Sequence, residues 1–234
     1  MQTDVVAFIS PCIMLNKPEL ILIDLDGTLV DSVPDLAFCV NALMETLGRK
    51  TYTEEKIRDW VGNGIERFVR RSLVGSLDGE PEDALLQKAF PIFMQLYAEN
   101  TSQRSMIYPG VIDGLNYMQT AGYPLACITN KAGRFTNTLL EDLGLRDYFE
   151  LVVSGDTLPK KKPDPLPLLH AAKHFDAAPS KCLMIGDSIN DVQAARAAGF
   201  QIAGVTYGYN HGRDIRETQP DLAIDSLAEL VSYL

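Results

Sequence analysis

The sequence predicts an α/β fold in which helices cover both faces of a parallel sheet, and a small helical domain interrupts the chain after the first strand. Three observations predict it. Short apolar runs recur along the chain, and they are continuously apolar, as in strands buried on both faces. Helical patterns separate these runs, as is typical of parallel strands joined by crossover helices. Residues 34–105 contain helical patterns alone, which is too long for an ordinary loop between a strand and a helix.

The apolar runs place the strands of the sheet. The predicted strands are residues 20–24, 124–129, 151–154, 182–186, 202–206 and 222–224. The helices predicted between them are residues 132–143, 165–175 and 189–198. Gly144 and Gly199 follow the first and the last of these helices, and glycine commonly ends a helix. This alternation favours an open, Rossmann-like sheet with helices on both faces.

Between the first and second strands, the apolar positions follow helical spacing over four segments. They are residues 34–47, 54–61, 65–73 and 82–99. An insert of this length is large enough to form a small α-helical cap domain. We therefore expect three parts: an N-terminal extension at 1–18, an α/β core at 19–32 and 108–234, and a helical cap at 33–107.

Composition and charge exclude several classes of protein. The 234 residues are 46% apolar and 22% charged, as in ordinary globular chains. No run approaches the roughly 18 consecutive apolar residues of a membrane span. The 21 basic and 31 acidic residues leave a net charge of −10, which would repel nucleic acid and anionic lipid. We therefore expect no nucleic acid and no membrane among the partners of this protein.

The cysteines and the N-terminus favour a cytoplasmic protein. Cys12, Cys39, Cys127 and Cys182 lie far apart and form no CxxC pair, which argues against a zinc site and a disulfide scaffold. The N-terminal segment carries Asp4 and lacks a basic region, so it is a poor signal peptide. We predict reduced thiols in the core and a cytoplasmic location.

Polar residues follow the predicted strands at their carboxyl ends, where open parallel sheets bind ligands. Asp24 and Asp26 follow the first strand, and residues two apart in extended chain point to the same side. Asp187 and Asp191 follow the fourth strand. Each pair alone has a structural alternative, because the first fits a turn and the second fits a capping box at a helix start.

Together the four carboxylates indicate a bound cation or raised pKa values, because close pairs repel by roughly 4 kcal/mol. An all-oxygen ligand set without His or Cys suits Mg²⁺, which is preferred where phosphate shares the site. The same edge offers anion-binding groups: Thr129 and Asn130 at a helix start, and Lys162 beyond the third strand. Lys160 and Lys161 are expected to be solvated. This combination of groups indicates phosphoryl transfer.

These strand ends resemble the four motifs of the haloacid dehalogenase superfamily of phosphohydrolases. The matching segments are residues 24–32 (DLDGTLVDS), Thr129-Asn130, Lys162 and residues 186–191 (GDSIND). They occur in the superfamily's order and span the predicted core, and the helical insert is similar to its C1-type cap. Residues 60–64 (WVGNG) and 207–210 (YGYN) resemble the bacterial phosphoglycolate phosphatases of that superfamily.

The resemblance implies a role for each motif residue. Asp24 is expected to attack phosphorus and form an aspartyl phosphate, and Asp26 to act first as general acid and then as general base. Mg²⁺ is expected to be held by Asp24, the Asp26 backbone carbonyl and Asp187, with Asp191 as an outer or auxiliary ligand. The residues expected to neutralise the phosphoryl oxygens are Thr129, Asn130 and Lys162.

The resemblance also implies a small phosphorylated substrate, 2-phosphoglycolate. We expect the protein to be a monomer or a homodimer. The motifs leave open another small phosphate (a sugar phosphate, a nucleotide or pyrophosphate) and a phosphomutase. A haloacid dehalogenase is disfavoured because that branch lacks the second acid that Asp26 supplies. A phosphonoacetaldehyde hydrolase is disfavoured because residues 61–66 contain no lysine for a Schiff base. A non-catalytic binding module on this fold is disfavoured, because such a module need not keep Asp24, Asp26, Lys162 and Asp187 all intact.

Selectivity for so small a substrate is expected to come from the cap. Gly62, Asn63 and Gly64 lie between two predicted cap helices. Glycines let backbone N–H groups approach a ligand closely, and a helix N-terminus favours an anion. We expect this loop to meet the substrate carboxylate. The alternative is an ordinary turn between helices.

Overall fold

The computed structural model describes residues 15–234, and the strands of its main sheet lie where the apolar runs predict them. In chain order the strands of the described residues are β1 (Leu20–Ile23), β2 (Val30–Asp31), β3 (Met106–Ile107), β4 (Leu125–Ile128), β5 (Leu151–Val153), β6 (Cys182–Gly186), β7 (Gln201–Val205) and β8 (Leu222–Ile224). Six of them form one parallel sheet in the order β5-β4-β1-β6-β7-β8. The order switches direction at β1, which is the arrangement of a Rossmann-like sheet. The predicted fold class is confirmed.

Helices occupy the predicted segments, with small differences at their ends. In chain order they are α1 (Val33–Thr46), α2 (Glu54–Arg58), α3 (Ile65–Val74), α4 (Asp83–Asn100), α5 (Val111–Thr120), α6 (Gly133–Asp142), α7 (Leu166–His174) and α8 (Ile189–Ala198). Helix α2 is shorter than predicted, and α5 adds a helix to those predicted. None of the described helices combines the length and the apolarity that a bilayer crossing needs.

The central strand β1 shows how a continuous apolar run becomes a strand buried on both sides. Ile21 and Ile23 belong to the apolar cluster that contains Leu115 of α5. Leu20 and Leu22 belong to the cluster on the other face, which contains α7 and α8 side chains. Successive residues of a strand point to opposite faces, so every position of this run is apolar. The two helical layers thus fix the sheet whose strand ends carry the polar residues.

Helices α1 to α4 pack around a third apolar cluster, which also includes Phe135 of α6. Its fully or almost fully buried members include Leu43, Trp60, Phe68 and Phe93. This third cluster supports the proposed division into an α/β core and a cap, and we use the name cap for residues 33–107. The antiparallel ribbon of β2 and β3 lies where the chain enters and leaves the cap. We did not predict the ribbon, since two-residue strands leave no periodic signal.

Two further sequence predictions meet the structure only in part. Residues 1–14 lie outside the described part of the chain, and with them Cys12 and most of the proposed extension. Leu15 is buried, and the Asn16 backbone exchanges hydrogen bonds of 2.7 and 2.9 Å with the Gln201 side chain at the start of β7. The other three cysteines are buried free thiols, as predicted.

Candidate active site

A cavity lies between the cap and the carboxyl ends of β1, β4 and β6. Its charged lining residues come from the α/β core, and they include Asp24, Asp26, Lys131, Lys162 and Asp187. The cap contributes mostly apolar side chains and glycines to the opposite wall. The structure therefore gathers residues from distant strand ends beside one cavity, as the sequence predicts.

Asp24 follows β1 directly and is buried at the floor of the cavity. Its Oδ1 accepts a hydrogen bond of 2.8 Å from the Leu25 backbone N–H, and the Lys162 ammonium lies 2.8 Å from the same oxygen. Burial raises the pKa of Asp24, and the opposite charge of Lys162 counters that effect only in part. The carboxylate is thus fixed in orientation, and its charge is not fully compensated by protein groups.

Asp187 follows β6 and is held by two donors. Its Oδ1 accepts from the Thr28 hydroxyl at 3.2 Å, and its Oδ2 accepts from the Tyr209 backbone N–H at 2.7 Å. Burial raises the pKa of Asp187 to about 7. Gly27 has φ +87° and lies so close that a Cβ at this position would overlap the Asp187 carboxylate. The glycine of the first motif is therefore required by both backbone conformation and space.

Lys162 and Asp191 form a buried pair behind Asp24. The Lys162 ammonium donates to Asp191 Oδ1 and to the Ile128 carbonyl, each at 2.6 Å. The other Asp191 oxygen accepts from the Ser188 hydroxyl at 2.7 Å and from its backbone N–H at 3.1 Å. Asp191 therefore forms the capping box at the start of α8 and also belongs to the acidic cluster, so its two interpretations are compatible.

Asp26 makes contacts quite different from those of Asp24. Its Oδ1 accepts from the Ser32 hydroxyl and from the Lys131 ammonium, the latter at 2.9 Å. Burial alone would lower the pKa of Lys131. The negative charge of Asp26 has a larger effect and holds this pKa above its usual range. We did not predict a role for Lys131. Its position directly after Thr129-Asn130 was the available signal.

The residues after β4 border the cavity beside Asp24. Thr129 is almost fully buried, and its Oγ1 accepts from the Lys131 backbone N–H at 3.2 Å. The Asn130 side-chain N–H donates to the Lys162 carbonyl at 2.9 Å, while its buried Oδ1 has no partner among the described residues. Lys160 and Lys161 are exposed, as predicted.

The loop of Gly62, Asn63 and Gly64 reaches the cavity from the cap side. All three residues have positive φ, and both glycines line the cavity. The Asn63 side chain crosses to the core and donates to Asn190 Oδ1 at 3.0 Å, while it accepts from the Arg71 guanidinium at 3.0 Å. The loop is therefore a contact between the cap and the core, and not a turn that faces solvent alone.

A second set of contacts joins the cap to the core near the ribbon. The Arg58 guanidinium donates to both oxygens of Asp31, at 3.1 and 3.0 Å. The His211 Nδ1 lies 2.8 Å from the Asp59 carbonyl oxygen. Together with the Asn63 contact, these hydrogen bonds hold the cap over the carboxyl edge of the sheet.

The donor set fits a hard divalent cation. One carboxylate oxygen from each of Asp24, Asp187 and Asp191 lies within 4.8 Å of the others, and all three residues are buried. Three buried carboxylates face the single ammonium of Lys162, so negative charge is in excess. The backbone carbonyl of Asp26 accepts no hydrogen bond from the described residues. Buried oxygen ligands with uncompensated charge suit Mg²⁺ better than a soft metal.

Comparison with known proteins identifies the class to which this site belongs. Residues 21–205 match the family model of the haloacid dehalogenase-like hydrolases, and the chain belongs to this family. The predicted resemblance is confirmed.

Particular relatives match nearly the whole chain. The phosphoglycolate phosphatase of Nitrosococcus oceani is 62% identical, over 94% of this chain and 98% of that protein. The phosphoglycolate phosphatase of Nitrosospira multiformis is 50% identical, over 92% and 94%. The crystal structure of a predicted phosphoglycolate phosphatase from Haemophilus somnus is similar with a TM-score of 0.87 and 32% identity, over 93% and 98% of the two chains.

Proposed function

We propose that the protein is a Mg²⁺-dependent phosphomonoesterase that hydrolyses 2-phosphoglycolate to glycolate and phosphate. Relatives with the name phosphoglycolate phosphatase match it over nearly their full length. The observation that carries the proposal is the buried cluster of Asp24, Asp187 and Asp191 beside Lys162, at the floor of a cavity that the cap covers. Whether the protein is a monomer or a homodimer stays a prediction.

Asp24 is the proposed nucleophile. Its Oδ1 is fixed by the Leu25 N–H and by Lys162, while its Oδ2 accepts no hydrogen bond from the part of the chain described. Attack by this carboxylate on phosphorus breaks the bond between phosphorus and the glycolate oxygen and forms an aspartyl phosphate. Water then attacks that phosphorus and releases phosphate and the free carboxylate.

Asp26 is the proposed general acid and base. It lies two residues after Asp24 and lines the same cavity. In the first step it gives a proton to the leaving glycolate oxygen, and in the second it takes a proton from the attacking water. The Ser32 hydroxyl and Lys131 hold its Oδ1 and so fix the orientation of the carboxyl group.

Asp24, Asp187 and the Asp26 carbonyl are the proposed Mg²⁺ ligands, with Asp191 as the auxiliary one. When bound, Mg²⁺ supplies positive charge that stabilises the phosphoryl group during transfer. The Thr129 hydroxyl and the Asn130 backbone N–H donate no hydrogen bond to the described residues, so both are available for phosphoryl oxygens. Lys162 adds its buried positive charge.

The loop of Gly62, Asn63 and Gly64 is the proposed cap element at the substrate carboxylate. The backbone N–H groups of these residues donate no hydrogen bond to the described part of the chain, and the loop leads into the start of α3. Such unpaired amides near a helix N-terminus favour an anion. The two glycines allow the backbone to lie at the cavity surface.

A phosphate-release screen over small phosphomonoesters with Mg²⁺ tests the proposed substrate. We expect a kcat/KM for 2-phosphoglycolate well above that for sugar phosphates, nucleotides and pyrophosphate. Product analysis in the same assay checks for a mutase, which would return the phosphoryl group to an acceptor instead of releasing it. A clear preference for another phosphate, or an isomerised phosphate as product, would contradict the proposal.

Chelation tests the proposed metal. We expect EDTA to remove activity and added Mg²⁺ to restore it, while Ca²⁺ does not. Ca²⁺ takes more ligands at longer distances, so it allows Asp24 to bind through both oxygens and lose its position for attack. Full activity in EDTA, or equal rescue by the two ions, is the contrary result.

A further inference from the structure

The cap wall of the cavity contains a hydroxyl group without a partner. Tyr97 lies near the end of α4, is almost fully buried and lines the cavity. Its ring packs against Phe93 and Phe135, with centroids 5.8 and 4.6 Å away. Its Oη has no hydrogen-bond partner among the described residues. The aromatic neighbours therefore fix the position of a buried donor that nothing in the described chain satisfies.

Lys131 lies beside this hydroxyl and also has donors to spare. Its ammonium is 5.1 Å from the centroid of the Tyr97 ring. A lysine carries three N–H donors; the ammonium of Lys131 donates to Asp26, and Tyr97 is its other hydrogen-bonding neighbour in the described chain. The side chain is 5% exposed, so water has little access to the remaining donors. The Tyr97 O–H and one N–H group of Lys131 therefore lie together on the cap side of Asp26 without an acceptor among the described residues.

We propose that Tyr97 and Lys131 form the subsite for the carboxylate of the substrate. The inference rests on the proposed function, in which phosphorus lies at Asp24 and the leaving oxygen lies at Asp26. In 2-phosphoglycolate a single CH₂ group separates the leaving oxygen from the carboxylate carbon. Lys131 donates a hydrogen bond to Asp26, which lies at the leaving oxygen. The ammonium is therefore about as far from the leaving oxygen as the carboxylate of the substrate is. The carboxylate then satisfies the buried donors and shares the positive charge of Lys131 with Asp26.

Such a subsite selects against substrates without a carboxylate, because they leave its buried donors without acceptors. A substrate with an apolar group in place of the carboxylate leaves the Tyr97 O–H and one N–H group of Lys131 buried without acceptors. Sites built to bind a polar group reject analogues that lack it far more strongly than apolar pockets reject a change in size. These side-chain donors would act in addition to the backbone amides of the loop of Gly62, Asn63 and Gly64.

The substitution Tyr97→Phe tests the subsite, because it removes the hydroxyl and keeps the packed ring. We would measure kcat/KM for 2-phosphoglycolate and for ethyl phosphate, which has a methyl group in place of the carboxylate. The ratio of the two constants is expected to fall about tenfold or more. Inhibition by glycolate is expected to weaken to a similar degree, whereas inhibition by inorganic phosphate is expected to stay unchanged. The melting temperature should hold or rise, since an unpaired buried hydroxyl is lost.

Tyr108→Phe is the matched control. The Tyr108 hydroxyl is also buried without a partner among the described residues, but this tyrosine packs on Tyr207 and does not line the cavity. We expect it to leave the ratio and glycolate inhibition unchanged. If the wild-type protein shows no preference for 2-phosphoglycolate, the proposed function fails. If the preference exists and Tyr97→Phe keeps both the ratio and glycolate inhibition, or Tyr108→Phe changes them equally, the subsite alone is wrong.

Discussion

The floor and the cap wall of the cavity differ in how their polar groups are satisfied. On the floor, Asp24, Asp187, Asp191 and Lys162 are each bound by groups of the protein. The cap wall is largely apolar, and its Tyr97 hydroxyl has no partner among the described residues. Polar groups that are already oriented need little reorganisation during the reaction. Unpaired donors, in contrast, gain a hydrogen-bond acceptor only when a ligand binds. The floor is therefore organised for chemistry, and the cap wall for recognition.

The floor and the cap wall are also carried by different structural elements. The floor residues follow strands that are buried between two helical layers, and such elements position side chains more precisely than loops do. The cap helices pack around a different apolar cluster, to which Phe135 of α6 also belongs. The cap joins the sheet through the short β2-β3 ribbon and contacts such as Arg58 to Asp31. Changes to the floor should therefore abolish turnover, and changes to the cap should alter the choice of substrate.

Removal of the proposed nucleophile, Asp24, should have the largest effect. We expect Asp24→Asn to lower kcat by roughly 10⁴-fold or more. The amide keeps the shape of the carboxylate and removes one of three crowded buried charges, so the metal-free melting temperature should hold or rise. Phosphate release and thermal unfolding measure the two outcomes. Residual activity within about tenfold of the wild type would falsify the role of Asp24.

Loss of Lys131, which contacts both Asp26 and the Tyr97 ring, should have the next largest effect. We expect Lys131→Met to lower kcat/KM for 2-phosphoglycolate about 100-fold, because truncation of one member of a buried charge pair typically costs 2–5 kcal/mol. The melting temperature should also fall, since Asp26 loses its ion pair.

Lys160→Met is the matched control for that substitution. Lys160 is exposed, and among the described residues it pairs only with Asp164 at the surface. It should change neither activity nor stability measurably, because exposed ion pairs contribute little. Similar losses in the two variants would show that any lysine of this region has the same effect.

The crowded carboxylates of the floor should make the metal-free protein less stable as the pH rises. Asp187 has a pKa of about 7 in the folded protein, raised by burial from its ordinary value of 3.8. The folded state therefore holds a proton that the unfolded state has lost, and the associated stability disappears as the pH rises through about 7.

Thermal unfolding in EDTA between about pH 5 and about pH 8 measures this loss. The melting temperature of the wild type should fall relative to that of Asp187→Asn across this range, and Mg²⁺ should restore it at the alkaline end. Parallel curves for the two proteins would mean that Asp187 does not titrate in this range.

A change in the cap loop should have the smallest effect. Gly64 has φ +89°, a conformation that costs a side chain about 1–3 kcal/mol. We expect Gly64→Val to displace the loop and lower kcat/KM for 2-phosphoglycolate about tenfold, with a much smaller loss for acetyl phosphate. Gly48→Val is the control, because Gly48 also has positive φ, but a Cβ there meets no neighbour and the residue does not line the cavity. Equal losses on both substrates would indicate an effect on stability or cap closure instead of recognition.

The sequence by itself determined the sheet, most of the helices and the residues that follow each strand. A short, continuously apolar run fits a strand that is buried on both faces of a sheet. The local sequence alone therefore predicts β1, β4 and β6. Parallel strands bring their carboxyl ends to one edge, so the sequence predicts that Asp24, Thr129 and Asp187 lie together. Local patterns were sufficient because each of these inferences depends on neighbouring residues alone.

The tertiary structure alone decided which side chains of distant segments meet. The Lys131 contact with Asp26, the Asn63 contact with Asn190 and the approach of Tyr97 to the cavity each join segments far apart in the chain. No periodicity records such pairings, because they depend on how the cap helices pack over the sheet edge. A lysine beside a motif and a tyrosine in an amphipathic helix look alike in sequence whether they face solvent, core or substrate. Burial and the lack of a partner, which exist only in the folded chain, distinguish them.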